Sequence, residues 1–184
     1  VARIILITAA VKRKSTYAQS IAESISGTRT YIATCPYIDE EMEERIRKHK
    51  ESRRASSWET IEETVDIAGA LRISKESRVI LVDCLTLWIN NIMYAAEQRG
   101  EGFSEEIISV LSKEIIKVCR DLSGTVIFVT NEIGLGIIPD NPISRLYRDV
   151  AGRCNQIVAG CADTVIFMIS GIPLILEREL YEFT

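Results

Sequence analysis

The sequence predicts an α/β protein built on a mainly parallel sheet flanked by helices. Three observations carry that prediction. Short runs rich in β-branched residues recur along the 184-residue chain, with helical periodicity between them. Most of those runs are apolar throughout rather than alternating, as strands covered on both faces are. The chain is also of a length that one hydrophobic core can serve, so residues 1–184 are read as a single domain.

Arg3–Thr8 reads as the first strand, and Ser15–Ser26 as a helix with Tyr17, Ile21 and Ile25 on one stripe. Thr30–Thr34 is the second strand. Asp39–Lys50 has an acidic half followed by a basic half. Its pairs Glu41/Arg45, Glu43/Arg47 and Glu44/Lys48 are spaced i,i+4 in the favourable order, which predicts a salt-bridged helix. Ser56-Ser57-Trp58-Glu59 has the form of a capping box, so a helix is expected to start near Trp58. Arg78–Asp83 is the next strand. Gly100-Glu101-Gly102 reads as a loop before Ser104–Leu122, which opens with a serine and two glutamates and spaces Ile107, Ile108, Leu111, Ile115 and Val118 at helical intervals. Thr125–Thr130 and Thr164–Ser170 are further strands, and Pro173–Leu176 is a sixth run of the same kind.

Composition narrows the function. With 22 Lys and Arg against 26 Asp and Glu, the net charge is −4, which argues against a general nucleic-acid binder. The five cysteines, Cys35, Cys84, Cys119, Cys154 and Cys161, are odd in number and contain no C-x-x-C pair. That is a poor disulfide framework and a poor zinc site. Cys84, Cys154 and Cys161 lie among apolar neighbours and read as small buried thiols of a reduced compartment. No apolar run approaches the ~18 residues of a membrane span. The opening run is too short for a signal peptide. The expectation is a soluble cytoplasmic protein without a membrane span.

In α/β sheets, ligands bind beyond the carboxyl ends of the strands. Arg3–Thr8, a short loop, Lys14-Ser15 and a helix together have the layout of a P-loop, G-x-x-x-x-G-K-[ST]. In that motif backbone N–H groups cradle phosphates, the lysine reaches the β- and γ-phosphates, and the hydroxyl binds Mg²⁺. The first glycine place falls on Thr8, or on Ala9 if the loop is one residue short, and the second falls on Arg13. Gly27 is the first glycine of the chain, so neither place holds one. Read alone, these residues equally describe a basic surface turn capped by Ser15. Asp83 ends an apolar strand, the Walker-B-like position that holds or orients Mg²⁺, although strand-end acids also serve as N-caps or solvated loop residues.

The single histidine, His49, shares a helical stripe with Arg45 and Arg53, with Lys50 adjacent. One reading is a solvated helix. The other notes that neighbouring cations disfavour imidazolium. That leaves a neutral nitrogen facing groups suited to triphosphate oxygens. Such a histidine can attack a nucleotide α-phosphate, forming a phosphoramidate and releasing pyrophosphate.

Motifs in a fixed order extend this pattern along most of the chain. They are Ile5-Leu6-Ile7-Thr8 before Lys14-Ser15, Tyr31-Ile32-Ala33-Thr34, Arg45-Ile46 with His49-Lys50, and Trp58-x-Thr60-x-Glu62. Further on come Asp83-Cys84-Leu85-Thr86-Leu87-Trp88, Val129–Pro139, Arg148–Arg153 with Asn155-Gln156, and Ser170-Gly171-Ile172-Pro173. With these elements the chain resembles the bifunctional adenosylcobinamide kinase/adenosylcobinamide-phosphate guanylyltransferases of cobalamin biosynthesis. The resemblance implies a RecA-like P-loop NTPase fold and a homotrimer. It also implies two activities. A nucleoside triphosphate, GTP or ATP with Mg²⁺, phosphorylates adenosylcobinamide; GTP then guanylylates a histidine, which passes GMP to adenosylcobinamide phosphate and yields adenosylcobinamide-GDP. The partners it implies are these small molecules, with no nucleic acid and no membrane span.

The guanylylated histidine of the family falls on His49. The nucleotide contacts fall on Ala9, Ala10, Val11, Lys12, Arg13, Lys14 and Ser15, on Ala33, Thr34 and Cys35, on Lys50, Glu51, Ser52 and Arg53, and on Glu62 and Asp83. Ser15 and Asp83 are the implied metal ligands. Thr130-Asn131-Glu132 and Asn155-Gln156 stand at strand-end and motif positions, where function and structural hydrogen bonding are equal accounts. The family loop reads Gly-Gly-x-x-x-Gly-Lys-Ser, whereas Ala9–Ser15 is one residue shorter and lacks glycine. A Cβ where φ must be positive costs on the order of 1 kcal/mol or more. Arg54 also stands where the family has a proline. The glycine-free loop motivates an alternative, a catalytically impaired nucleotide-binding or assembly protein. The loop and Asp83 alone would also allow a kinase with another acceptor.

Overall fold

The computed structural model describes residues 1–10, 13–36 and 57–176. Strand β1 (Arg3–Thr8) leads into helix α1 (Lys14–Ser24), then β2 (Arg29–Ala33). β3 (Trp58–Glu62), α2 (Ile67–Ile73), β4 (Val79–Asp83) and α3 (Leu85–Gln98) follow. The chain continues through α4 (Glu105–Asp121), β5 (Thr125–Val129), a 3-10 turn (Ile133–Leu135), α5 (Pro142–Cys161), β6 (Thr164–Ile169) and β7 (Ile172–Leu176). The helix expected over Asp39–Lys50 lies outside the described residues.

The strands form one sheet in the order β3-β2-β4-β5-β1-β6-β7. Every pair among β1–β6 is parallel, and β7 returns antiparallel beside β6. The continuous apolar runs are explained by burial on both faces. Ile4 and Leu6 of β1, Ile80 and Val82 of β4, and Val126 and Phe128 of β5 face a core shared with α2, α3, α4 and α5. Their alternates Ile5, Ile7, Val79, Leu81, Ile127 and Val129 face the opposite side, with Ala18 and Ala22 of α1. The connections leaving the adjacent strands β1 and β5 therefore diverge onto opposite faces, which opens a crevice at their carboxyl ends.

Local chemistry sets the helix boundaries. Ser104 accepts from the Ile107 N–H at the start of α4, with Glu105 and Glu106 in the first turn, as the spacing predicts. Asn141 caps α5 by accepting from the amides of Ile143 and Ser144, with Pro142 at the first helical position.

The capping-box expectation fails at Ser56-Ser57-Trp58-Glu59. Trp58–Glu62 is a strand paired in parallel with β2, Arg29 opposite Trp58 and Ala33 opposite Glu62. Trp58 packs edge-on against Tyr31 with centroids 6.0 Å apart, and its indole N–H donates to Glu23. These non-local contacts and the Trp-x-Thr-Ile content favour the pleat over a local cap. The helix instead begins at Ile67, capped by Asp66 accepting from Gly69 N–H at 2.8 Å. Cys84 and Cys154 are buried as expected, but Cys161 is only half-buried because it ends α5. All five cysteines are free. No helix among the described residues is long and apolar enough to cross a membrane.

Candidate active site

The register of the sheet aligns the site. Ala33 lies opposite both Glu62 and Asp83, so the carboxyl ends of β3, β2 and β4 carry three predicted residues side by side. Asp83 is in turn level with Val129 of β5, which precedes Thr130-Asn131-Glu132. Strand β1 delivers Thr8 and the buried Ala9 next to that end.

Lys14 opens α1 and is only 7% exposed. Its amine donates to Asn131 Oδ1 at 2.6 Å and, at 3.5 Å, to the Ala9 carbonyl. Burial lowers the pKa of this ammonium, while the negative fields of Cys84 and Asp83 act to raise it. The Cys84 thiol is itself pushed up to about 11, first by burial and then by Asp83. It is therefore uncharged at neutral pH, and Asp83 is the anion that Lys14 faces. Asp83 Oδ2 accepts from Tyr31 OH at 2.7 Å, and the peptide between Asp83 and Cys84 is cis.

Two hydrogen-bonded networks brace this edge. Thr34, fully buried, donates through Oγ1 to the Cys84 carbonyl and accepts from the Cys84 N–H, stapling β2 to β4. Asn91 of α3 donates to the carbonyls of Thr34 and Thr64. On the other side, Glu132 Oε1 accepts from Thr8 Oγ1 at 2.8 Å and from Asn155 Nδ2 at 3.1 Å. Asn155 Oδ1 accepts from Thr130 Oγ1, and its amide also donates to the Asn131 carbonyl. Asn131 donates through both its backbone N–H and Nδ2 to Thr86 Oγ1. The phenol of Tyr147 donates to the Thr86 carbonyl, and its pKa is raised to about 12 by burial. Enclosed polar groups need such partners, and the closed network fixes Asn131 against Lys14.

Of the predicted site residues, Ala9, Lys14, Ala33, Thr34, Glu62 and Asp83 are placed along one edge, with Ser15 half-buried on the first turn of α1 and Cys35 half-buried after Thr34. Ala10 is exposed. Arg13 takes φ 89 and ψ −5, the left-handed conformation, at the N-terminus of α1. Val11, Lys12, His49, Lys50, Glu51, Ser52 and Arg53 lie outside the described residues. Tyr31, Thr86, Asn91 and Tyr147 join the site although the sequence assigned them no role there. Tyr31 and Thr86 stand inside the ordered motifs, where the motif alone gives no role, whereas Asn91 and Tyr147 each act through one polar group on a largely packed side chain, which leaves no periodic or motif signature.

Lys14 beside an Asp at a neighbouring strand end, on the first turn of a helix, is suited to binding phosphate. The chain matches the family model described as "Cobinamide kinase / cobinamide phosphate guanyltransferase" over residues 5–176. It is 36% identical over 179 residues to the bifunctional adenosylcobalamin biosynthesis protein CobP of Pseudomonas aeruginosa, covering 96% of this chain and 98% of the relative. It is 36% identical over 150 residues to the bifunctional adenosylcobalamin biosynthesis protein CobU of Salmonella typhimurium, covering 77% and 82%. The Escherichia coli protein of the same name is 30% identical over 177 residues, covering 92% and 97%.

Proposed function

The chain belongs to the cobinamide kinase / cobinamide phosphate guanyltransferase family, and from that premise we propose how its residues divide the work. It is a bifunctional enzyme of adenosylcobalamin biosynthesis, an adenosylcobinamide kinase and adenosylcobinamide-phosphate guanylyltransferase. The observation that carries the assignment to this edge of the sheet is the enclosed Lys14, held between Asn131 and Ala9 and facing Asp83. A catalytically impaired binding protein is not favoured.

In the kinase step the substrate hydroxyl oxygen attacks the γ-phosphorus of GTP or ATP, the bond to the β–γ bridging oxygen breaks, and a nucleoside diphosphate leaves. Lys14 bears on the β- and γ-phosphate oxygens, where its charge opposes the negative charge of the transferring group. In the second step the His49 imidazole attacks the α-phosphorus of GTP, forming a P–N bond and expelling pyrophosphate. The phosphate oxygen of adenosylcobinamide phosphate then displaces His49, giving adenosylcobinamide-GDP. Ala33, Thr34, Cys35 and Glu62 line the nucleotide at the ends of β2 and β3, together with Lys50, Glu51, Ser52 and Arg53.

Ser15 and Asp83 suit Mg²⁺. Both are half-buried oxygen donors on adjacent elements, and Mg²⁺ commonly takes one or two protein oxygens with substrate phosphates. When bound, the ion supplies charge neutralisation on the phosphates. Tyr31 positions the Asp83 carboxylate by donating to Oδ2. We read residues 1–184 as one nucleotide-binding domain, working as a homotrimer in the cytoplasm; the free cysteines support a reducing compartment.

Incubation with α-labelled GTP and Mg²⁺ is expected to give an acid-labile covalent adduct, absent in His49→Ala. The same variant is expected to keep phosphoryl transfer from γ-labelled triphosphate to adenosylcobinamide. No adduct on the intact protein overturns the guanylyltransferase assignment, and no phosphoryl transfer overturns the kinase assignment.

A further inference from the structure

Adenosylcobinamide is far bulkier than the groups transferred to it, so it needs a surface of its own beside the phosphate edge. We propose that Asn90, Tyr94 and Glu97 of α3, with the two cavities that meet at them, seat the corrin ring of adenosylcobinamide. The proposal rests on the bifunctional activity stated above and deepens it by locating the acceptor on the chain.

The three residues are spaced i, i+4 and i+7 on α3 and so share one face of it. All three are exposed, and Tyr94 is 61% exposed although Trp88, Ile89 and Ile92 of the same helix are buried. A cavity of about 640 Å³ is walled by Pro36, Thr64 and Val65, among others. A second, of about 400 Å³, is walled by Met93, Phe103 and Leu146, among others. Asn90 and Tyr94 line both, so the two cavities meet at these side chains. Both also adjoin the catalytic edge. Asn91, in the wall of the larger, donates to the carbonyls of Thr34 and Thr64. Tyr147, in the wall of the smaller, donates to the Thr86 carbonyl, and Thr86 Oγ1 accepts from the Asn131 that holds Lys14.

The lining selects the occupant. Neither cavity is lined by a described Lys or Arg, so neither suits a triphosphate, which calls for cations. The charged groups are Glu97 and Glu101, and Arg99 already pairs with Glu101 at 2.7 Å. Glu97 makes no hydrogen bond or ion pair with another described residue. Adenosylcobinamide is a cation, because cobalt(III) outweighs the negative charges of the corrin and of the adenosyl carbon. Glu97 complements that charge, the Tyr94 ring offers its face to the flat macrocycle, and Asn90 offers a donor and an acceptor to the amides at its rim. Such a ring is too broad for either cavity by itself, whereas the two joined at Tyr94 give it a concave and largely apolar seat.

The test compares the full chain with Tyr94→Ala, Tyr94→Phe and Glu97→Lys in two assays. One is phosphoryl transfer to adenosylcobinamide, read as KM and kcat. The other is covalent labelling by α-labelled GTP without any corrin, which reports the nucleotide site alone. Tyr94→Ala is expected to raise the KM for adenosylcobinamide at least about tenfold, with kcat and the labelling rate within about twofold of the wild type. Glu97→Lys is expected to raise the same KM, and Tyr94→Phe, which keeps the ring, to stay near the wild type. A wild-type KM in both Tyr94→Ala and Glu97→Lys overturns the proposal. So does a loss of labelling in step with the rise in KM, which marks a damaged fold. A changed light-scattering mass with an unchanged KM makes this face a contact between copies of the chain, and also overturns it. Wild-type protein that neither labels nor transfers phosphate overturns the enzymatic reading itself, and the seat with it.

Discussion

Lys14 combines a charge, an enclosed position and two protein oxygens. Its lowered folded-state pKa, caused first by burial, has a definite pH consequence. Between the folded value and the ordinary 10.5, the unfolded chain binds more protons than the folded one, so this group makes stability rise with pH there. The unfolding free energy of the wild type relative to Lys14→Met, measured with urea, is expected to increase as pH rises toward 10.5. A pH-independent difference would refute this. Lys14 and Asp83 were legible because a cation opening a helix and an acid closing an apolar strand are local patterns. That Asn131 holds the Lys14 amine was not, since the two are 117 residues apart in sequence and only the completed sheet brings them together. The strained Arg13 was half legible: the motif marks the place as one for glycine, and the structure supplies the positive φ.

At the scale of elements, the amino ends of β1, β4 and β5 meet at Gly124. It has φ +104, and its carbonyl accepts from Arg3 N–H at 2.8 Å. A Cβ on Gly124 would collide with the Arg78 carbonyl oxygen, which itself accepts from Thr125 N–H. Gly124→Ala is expected to destabilise the fold by about 2 kcal/mol, read as a lower denaturation midpoint with an unchanged slope. GTP affinity of the folded protein should be unaltered, because the lesion lies at the opposite edge of the sheet from Lys14. Elements were legible where one signal ruled them. Ser104 with two glutamates set the start of α4, and unbroken apolar runs marked the central strands. Trp58–Glu62 was misread because a four-residue capping box is a weak local preference, while the pairing with β2 and the Tyr31 contact are invisible until β2 is in place.

For the whole molecule, β7 is the outermost strand on its side of the sheet among the described residues, and Ile172, Leu174, Ile175 and Leu176 are exposed on its two faces. Apolar area of this kind is suited to burial between subunits. The homotrimer proposed above is expected to give a light-scattering mass near three times 20.6 kDa, and a mass equal to one chain would refute it. The place of β1 in the sheet has a consequence in time. β1 precedes every other described strand in sequence, yet its two neighbours are residues 125–129 and 164–167. Its backbone therefore has no partner strand until residues 125–129 have been made, and distant pairings of this type form slowly. Lys14, which follows β1, gains its Asn131 contact only after β5 has been made. Nucleotide capture by a nascent chain thus reports that β1 and β5 have paired.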